Sequence, residues 1–251
     1  MTRKTTGVRT RNLYNPGADK PFKLSRSKLE RFMECPRCFY LDRRLGVDRP
    51  DLPSFSLNLA VDELLKREFD YYRERGEPHP LMRAAGIDAI PFRHESLGVW
   101  RENFKGVEYH HAPTNLVISG AVDDLWVDPS GALIIVDYKA TSVKDPIRAD
   151  YNSRQSYRRQ LEIYQWLFRQ NGFEVSDTAY WVYANGQKGR EAFNARLDFE
   201  LTFVPHQGQT DWVEDCIRAA CDCLRADTIP DAAGECEFCL YRAAARVRES
   251  N

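Results

Sequence analysis

From Val117 to Thr141 the chain reads VISGAVDDLWVDPSGALIIVDYKAT, two apolar runs joined by Asp128-Pro129-Ser130-Gly131. Apolar runs around such a turn predict a β-hairpin, with Pro129 at the first turn position and Gly131 in the left-handed conformation of a three-residue bulged loop. That loop pairs Asp128 with Ala132. Counted back along an antiparallel ladder, Asp123 then falls opposite Asp137, and Ala121 opposite Lys139, so the three charged residues share one face. A two-residue loop would slip the register by one and send Asp123 to the other face.

Two carboxylates directly across a ladder repel unless a cation or a shared proton intervenes. Hard oxygen ligands from two Asp favour Mg²⁺ or Mn²⁺, and Mg²⁺ keeps several waters, leaving room for a phosphate oxygen and an attacking water. Lys139 on the same face can orient or deprotonate that water, or offset transition-state charge. The bland reading is an exposed hairpin face carrying a cross-strand Lys/Asp pair.

The 251 residues, 43% hydrophobic, suffice for one sizeable core. Thirty-six basic residues against 37 acidic ones give no global pull toward polyanions, so a nucleic acid would need a local basic patch. No apolar run approaches the roughly 18 residues of a membrane span, and MTRKTTGVRTR carries no segment of the secretory kind; the expectation is a cytoplasmic protein that does not engage a membrane. Seven cysteines without a secretory signal point to metal ligands or buried thiols rather than disulfides.

Residues 1–20 are polar and aperiodic and read as a disordered tail ahead of a single domain over 21–251. A capping box, Ser27 with Glu30, predicts a helix start, and Pro36 breaks or restarts that helix. Helical spacing of Leu57, Val61, Leu64, Leu65, Phe69 and Tyr72 predicts a long helix over 56–75, ended by Gly76. Strands are expected over 104–110, 116–127, 132–140 and 178–184 and through the alternating Leu197, Phe199, Leu201 and Phe203; further helices are expected over 154–170 and 211–226. This mixture makes an α/β or α+β protein. No GxxxxGK[ST] loop is present, so an ATP-driven motor would be another polypeptide.

Gly120-Ala121-Val122-Asp123, then Asp137-Tyr138-Lys139, then Gln160 and Tyr164 in QLEIYQWLF, together resemble the RecB-like branch of the PD-(D/E)XK nuclease superfamily. LSRSKLERFMECPRCFYL is similar to that branch's opening helix and Cys-Pro, so the resemblance runs from about Leu24 to Tyr241. It implies a restriction-endonuclease-like central mixed sheet flanked by helices, and metal-dependent cleavage of DNA. It also implies Asp123, Asp137 and the Tyr138 carbonyl as metal ligands, and Lys139 as the catalytic lysine. Gln160 and Tyr164, one helical turn apart, match the motif beside the active centre; without the resemblance they read as helix surface and core. Relatives usually carry a His ligand on the early helix, whereas LNLAVDELLKREFD has none, and Asp62 is the nearest stand-in. An acid on a largely apolar helix side is costly unless paired or liganded; the alternative is an acid half in solvent. Glu108 resembles an upstream acid of the family. His110 and His111 read as edge-strand residues.

Cys35-Pro36-Arg37-Cys38 and Cys236-Glu237-Phe238-Cys239 are two CxxC pairs at opposite ends of the chain, a tetrathiolate candidate for Zn²⁺ or an iron-sulfur cluster. Closing so long a loop stabilises by roughly 5 kcal/mol in the chain-entropy model, which assigns the site a stapling role. Resemblance to AddB-type and CRISPR-adaptation nucleases implies a [4Fe-4S] cluster, with Zn²⁺ as the alternative. That scheme fits Cys35, Cys236, Cys239 and the following Tyr241, but its last Cys is missing, since residues 243–245 are all Ala, and Cys38 would replace it. Cys216, Ala220 and Cys223 read as small core residues of the late helix.

The leading expectation is a metal-dependent DNA nuclease, an exonuclease of repair, recombination or defence, with Arg148, Arg154, Arg158 and Arg159 as its local basic patch; their bland reading is a solvated helix face. A nuclease-fold module that binds DNA without cutting and a metal-stapled interaction domain are the competing classes. Beyond DNA, a separate helicase or a recombination or defence protein is the expected partner.

Overall fold

The computed structural model describes residues 7–50 and 56–250. In chain order its elements are β1 (Phe22–Ser25), α1 (Arg26–Glu34), α2 (Pro36–Leu45), α3 (Ser56–Arg75), α4 (Pro80–Ala84), β2 (Ile90–Pro91), α5 (Leu97–Trp100), β3 (Val107–His111), β4 (Leu116–Gly120), β5 (Asp124–Val127), β6 (Leu133–Thr141), α6 (Gln155–Gln170), β7 (Thr178–Gly186), β8 (Phe199–Gln207), α7 (Asp211–Arg225) and α8 (Glu237–Glu249). The strands form two sheets, ordered β1-β4-β3 and β2-β5-β6-β7-β8. Strands and helices are mixed as a restriction-endonuclease-like fold requires. The described residues group into two compact units, residues 7–50, 110–118 and 211–250 in one, 56–109 and 119–210 in the other.

The second unit is built on the hairpin. Asp128 N–H donates to the Ala132 carbonyl at 3.1 Å, Gly131 takes φ +89°, and Asp124 pairs with Val136 and Val127 with Leu133, the register that the three-residue loop requires. The Asp128 carboxylate accepts from the N–H groups of Ser130 and Ala132 and closes the turn. β6 then runs parallel to β7 with α6 as the crossover, and β7 pairs antiparallel with β8. Along β6, Ile134, Val136 and Tyr138 face α3, where they pack with Val61, Leu65, Phe69 and Trp126. Leu133, Ile135, Asp137 and Lys139 point to the other face, so residues 133–138 are buried without a break.

The expected strand over 116–127 is instead two strands in two sheets, broken at residues 121–123. Val122 N–H donates to the Trp100 carbonyl at 3.1 Å and the Asp123 carbonyl accepts from Arg101 Nε at 2.9 Å, so the end of α5 satisfies backbone groups that a ladder would otherwise use. The α3 stripe also differs from expectation. Val61, Leu65 and Phe69 are buried, whereas Leu57 and Leu64 are exposed, and the next buried position in the series is Arg73. Arg73 lies there because Asp124, fully buried on the α3 side of β5, needs a cation. Its carboxylate takes bonds from Arg73, from Arg101 Nη2 at 2.9 Å, from the Tyr138 hydroxyl at 2.6 Å and from Leu125 N–H.

In the first unit, the expected tail is tied down from residue 7 onward, while residues 1–6 lie outside the described residues. Arg9 N–H donates to the Gly46 carbonyl, Tyr14 is buried, and the Arg9 guanidinium reaches the fully buried Asp42 together with Lys28, Arg31 and Arg43. The capping box does not form. Ser25 is the residue before α1, which leaves Ser27 inside the helix, and Glu30 is buried. Pro36 does restart the helix, at the first position of α2. On α7 the buried stripe is Val213, Cys216, Ile217, Ala220, Cys221 and Leu224; Cys221 takes the place expected of Cys223, which is half-buried. His111 is a buried strand residue, hydrogen-bonded to Thr114 and Glu214, while His110 is exposed.

Removing one partner from a buried ion pair leaves the other charge uncompensated, at about 3 kcal/mol. Arg73→Ala should therefore lower the free energy of urea unfolding by about that amount, whereas Arg67→Ala, which breaks an exposed pair with Glu63, should cost under about 0.5 kcal/mol. Equal losses for the two variants would contradict the role given to Asp124.

Candidate active site and thiolate centre

Asp123 stands one residue ahead of the first β5 ladder pair and across from Asp137, as the register dictates. Its Oδ2 accepts the Tyr138 backbone N–H at 2.9 Å, and its carbonyl is held by Arg101. Asp137 is fully buried and forms an ion pair with Lys139, the neighbour two residues on along the same face of β6. The Lys139 ammonium also donates to Gln160 Oε1 at 3.2 Å and lies 4.5 Å from the centre of the Tyr157 ring. Gln160 Nε2 in turn donates to the Tyr164 hydroxyl at 3.4 Å, so α6 supplies a short polar chain that ends on Lys139. Burial alone would pull the Lys139 pKa down, but the Asp137 and Asp123 carboxylates outweigh it and leave it above the ordinary lysine value.

From α3, Asp62 and Lys66 complete the cluster. Lys66 Nζ donates to Asp62 Oδ2 at 2.7 Å and lies 3.4 Å from Asp123 Oδ1. Burial, then repulsion from Asp123, raises the Asp62 pKa despite Lys66. The pKa of Lys66 is itself raised, since Asp123 and Asp62 together overcome its own desolvation. Three carboxylates thus meet two ammoniums, and one negative charge is left over.

Asp62, Asp123, Asp137, Lys139, Gln160 and Tyr164 are therefore brought together. Tyr138 touches the cluster through its backbone, while its side chain points to Asp124 on the opposite face. Glu108 is not part of it; its side chain is exposed on β3, in the other sheet. Arg154 caps the start of α6, six residues before Gln160, and is exposed, whereas Arg158 and Arg159 stand two and one residues before Gln160 and are half-exposed; Arg148 is exposed in the preceding loop. Two participants were not legible as such, Lys66 and Arg101. The i,i+4 pair Asp62 and Lys66 was a readable signal; nothing local marks Arg101.

In the first unit the two CxxC pairs come together, with the four Sγ atoms within 4.8 Å of one another. Cys35 precedes α2 and Cys236 precedes α8, so each pair opens a helix. Arg49 Nη2 lies 3.8 Å from Cys236 Sγ, and its guanidinium stacks on Phe238. Despite burial, backbone N–H groups of Ala233 and Cys38 draw the Cys35 thiol down to about 7, while burial and the neighbouring sulfurs push Cys239 up to about 12. Four thiols this close cannot all ionise without a bound cation, and the group could hold a metal ion.

A family model described as the PD-(D/E)XK nuclease superfamily matches residues 56–244. The chain belongs to that superfamily. No curated protein matches it. Membership makes the chain a nuclease by family, with divalent-metal chemistry as the family's mode. No helix among the described residues is long and apolar enough to cross a membrane.

A carboxyl whose folded pKa is raised costs stability above its unfolded value and nothing once it is protonated in both states. Asp62→Asn should therefore be at least as stable as the parent at pH 7 in chelator, by less than about 1 kcal/mol given its partial exposure, and the gap should close toward pH 4. Thermal melts at the two pH values test this; a variant that is less stable at pH 7 would contradict it.

Proposed function

We propose that this member of the superfamily is a Mg²⁺- or Mn²⁺-dependent deoxyribonuclease, working as an exonuclease in DNA repair, recombination or defence. The observation that carries the reading is the convergence of Asp62, Asp123 and Asp137 with Lys139 on one side of a buried hairpin. The donors fit a hard cation, being all oxygen, mutually repelling and one positive charge short. Asp123 and Asp137, with Asp62 and the Tyr138 carbonyl, would hold Mg²⁺ or Mn²⁺, which when bound supplies Lewis acidity toward a phosphate oxygen and lowers the pKa of a coordinated water.

The chain's own groups do the rest. Lys139, with its raised pKa, is protonated at neutral pH; it acts as a fixed cation that offsets charge developing on the phosphate, rather than as a free base. Gln160 and the Tyr157 ring fix where the ammonium points. Arg101 fixes Asp123 from behind through its carbonyl. Arg154, Arg158 and Arg159, on the same helix as Gln160, supply the local positive charge needed to hold a phosphate backbone on a nearly neutral protein. These 251 residues carry no nucleotide-triphosphate loop, so any unwinding would come from a motor outside them, such as a separate helicase.

One observation favours a second reading, a nuclease-fold module that binds DNA and cuts poorly or not at all. Lys66 already spans Asp62 and Asp123, and no His is available on α3 to replace them.

Labelled single- and double-stranded DNA, incubated with the protein in Mg²⁺ or Mn²⁺, separates the two. The nuclease reading expects cleavage that chelator abolishes and that Asp137→Ala and Lys139→Ala each reduce by at least about a hundredfold. Binding without cleavage in either metal would leave the module, and cleavage indifferent to both substitutions would reject the site.

A further inference from the structure

We propose that the four-cysteine site of the first unit holds a single zinc ion, in place of the [4Fe-4S] cluster that resemblance to AddB-type nucleases implies. The inference goes beyond the nuclease reading and does not depend on it.

Spacing of the sulfurs decides between the two occupants. Cys35 Sγ lies 3.8 Å from Cys239 Sγ, and Cys38 Sγ lies 3.6 Å from both Cys236 and Cys239. No two of the four ligand atoms are more than 4.8 Å apart. One ion bound to four thiolates at about 2.3 Å has tetrahedral edges of about 3.8 Å, close to the three short separations of 3.6, 3.6 and 3.8 Å. In a cubane cluster each thiolate binds a different iron at a different corner, which spreads the sulfurs to roughly 6 Å. Opening the group that far would have to part a packed knot, since Cys35, Cys38 and Cys236 are buried against one another with Ala232, Ala233 and Phe238 around them.

Chain geometry agrees. Each CxxC folds into the first turn of a helix, where the Phe39 N–H donates to the Cys35 carbonyl and the Leu240 N–H to the Cys236 carbonyl. Two short knuckles facing each other present four sulfurs to one point, the arrangement of a closed structural site with no open coordination position. Four thiolates around a divalent ion leave two excess negative charges. The positive N-terminal ends of α2 and α8 and the Arg49 guanidinium, itself paired with Glu34 at 2.6 Å, stand where they offset that excess. The missing last cysteine of the iron-sulfur scheme fits the same picture, because Cys38 closes a two-knuckle set and Ala243, Ala244 and Ala245 leave no further thiol on α8.

The test is made on the full chain, purified anaerobically from cells supplied with both iron and zinc. Elemental analysis is expected to give one zinc per chain in a colourless protein, and exchange with Co²⁺ should produce the visible absorption of tetrahedral, thiolate-bound cobalt. Cys38→Ser should lose at least nine-tenths of the zinc if it folds; the cobalt spectrum of the parent decides the matter if it does not. Brown protein containing iron and acid-labile sulfide overturns the proposal, as does iron in place of zinc. None of these readouts involves DNA, so the nuclease reading stands or falls separately.

Discussion

Two adjacent aspartates, on opposite faces of the hairpin, organise the second unit. Asp124 points into the core and is compensated by Arg73, Arg101 and the Tyr138 hydroxyl; Asp123 points the other way, into the carboxylate cluster. Because side chains alternate along a strand, fixing one fixes the other. The buried network therefore acts as a register lock. A one-residue slip would expose Asp124, bury Asp123 beside Phe69 and Trp126, and undo the pairing of Asp123 with Asp137. Arg101 joins the two faces, with Nη2 on the Asp124 carboxylate and Nε on the Asp123 carbonyl, so the acid that builds the core also holds the acid that faces the site.

This arrangement stores unfavourable charge where chemistry needs it. Asp62 sits above its normal pKa because burial and Asp123 both oppose its ionisation, and the ammoniums of Lys66 and Lys139 are held charged by the same field. A site optimised for stability would replace at least one of the three acids. A further positive charge, on a cation or along a substrate path, would complete the set.

The hairpin was readable because its turn chemistry is local. Asp128, Pro129 and Gly131 specify a loop length, and loop length specifies register. The same holds for the CxxC pairs, which short-range spacing marks as ligands. What stayed hidden depends on partners distant in sequence. The break at residues 121–123 is imposed by Trp100 and Arg101, which no local pattern connects to Asp123. Residues 7–20 look like a tail because their composition is polar, yet Arg9 is anchored by Asp42. On α3, hydrophobic spacing overestimated the buried face, since Leu57 and Leu64 are exposed, whereas the buried Arg73 carries a charge that periodicity discounts. Once Asp124 is placed in a strand interior, the demand for an arginine on the series 61, 65, 69, 73 follows; the inference needs the sheet first.

The two cation sites differ in hardness, and that difference bears on how each acts. The second unit offers carboxylate oxygens, already partly compensated by two ammoniums, a set suited to an exchangeable Mg²⁺ that binds weakly and keeps its waters. The first unit offers four sulfurs within 4.8 Å of one another, a set suited to a soft metal held by four thiolates. A hard divalent ion held by carboxylates keeps waters that a phosphate oxygen can replace, whereas an ion closed by four thiolates has none to give up. The placement of the thiolate group across residues 35–38 and 236–239, near both ends of the described sequence, is where a cross-link removes the most freedom from the unfolded chain.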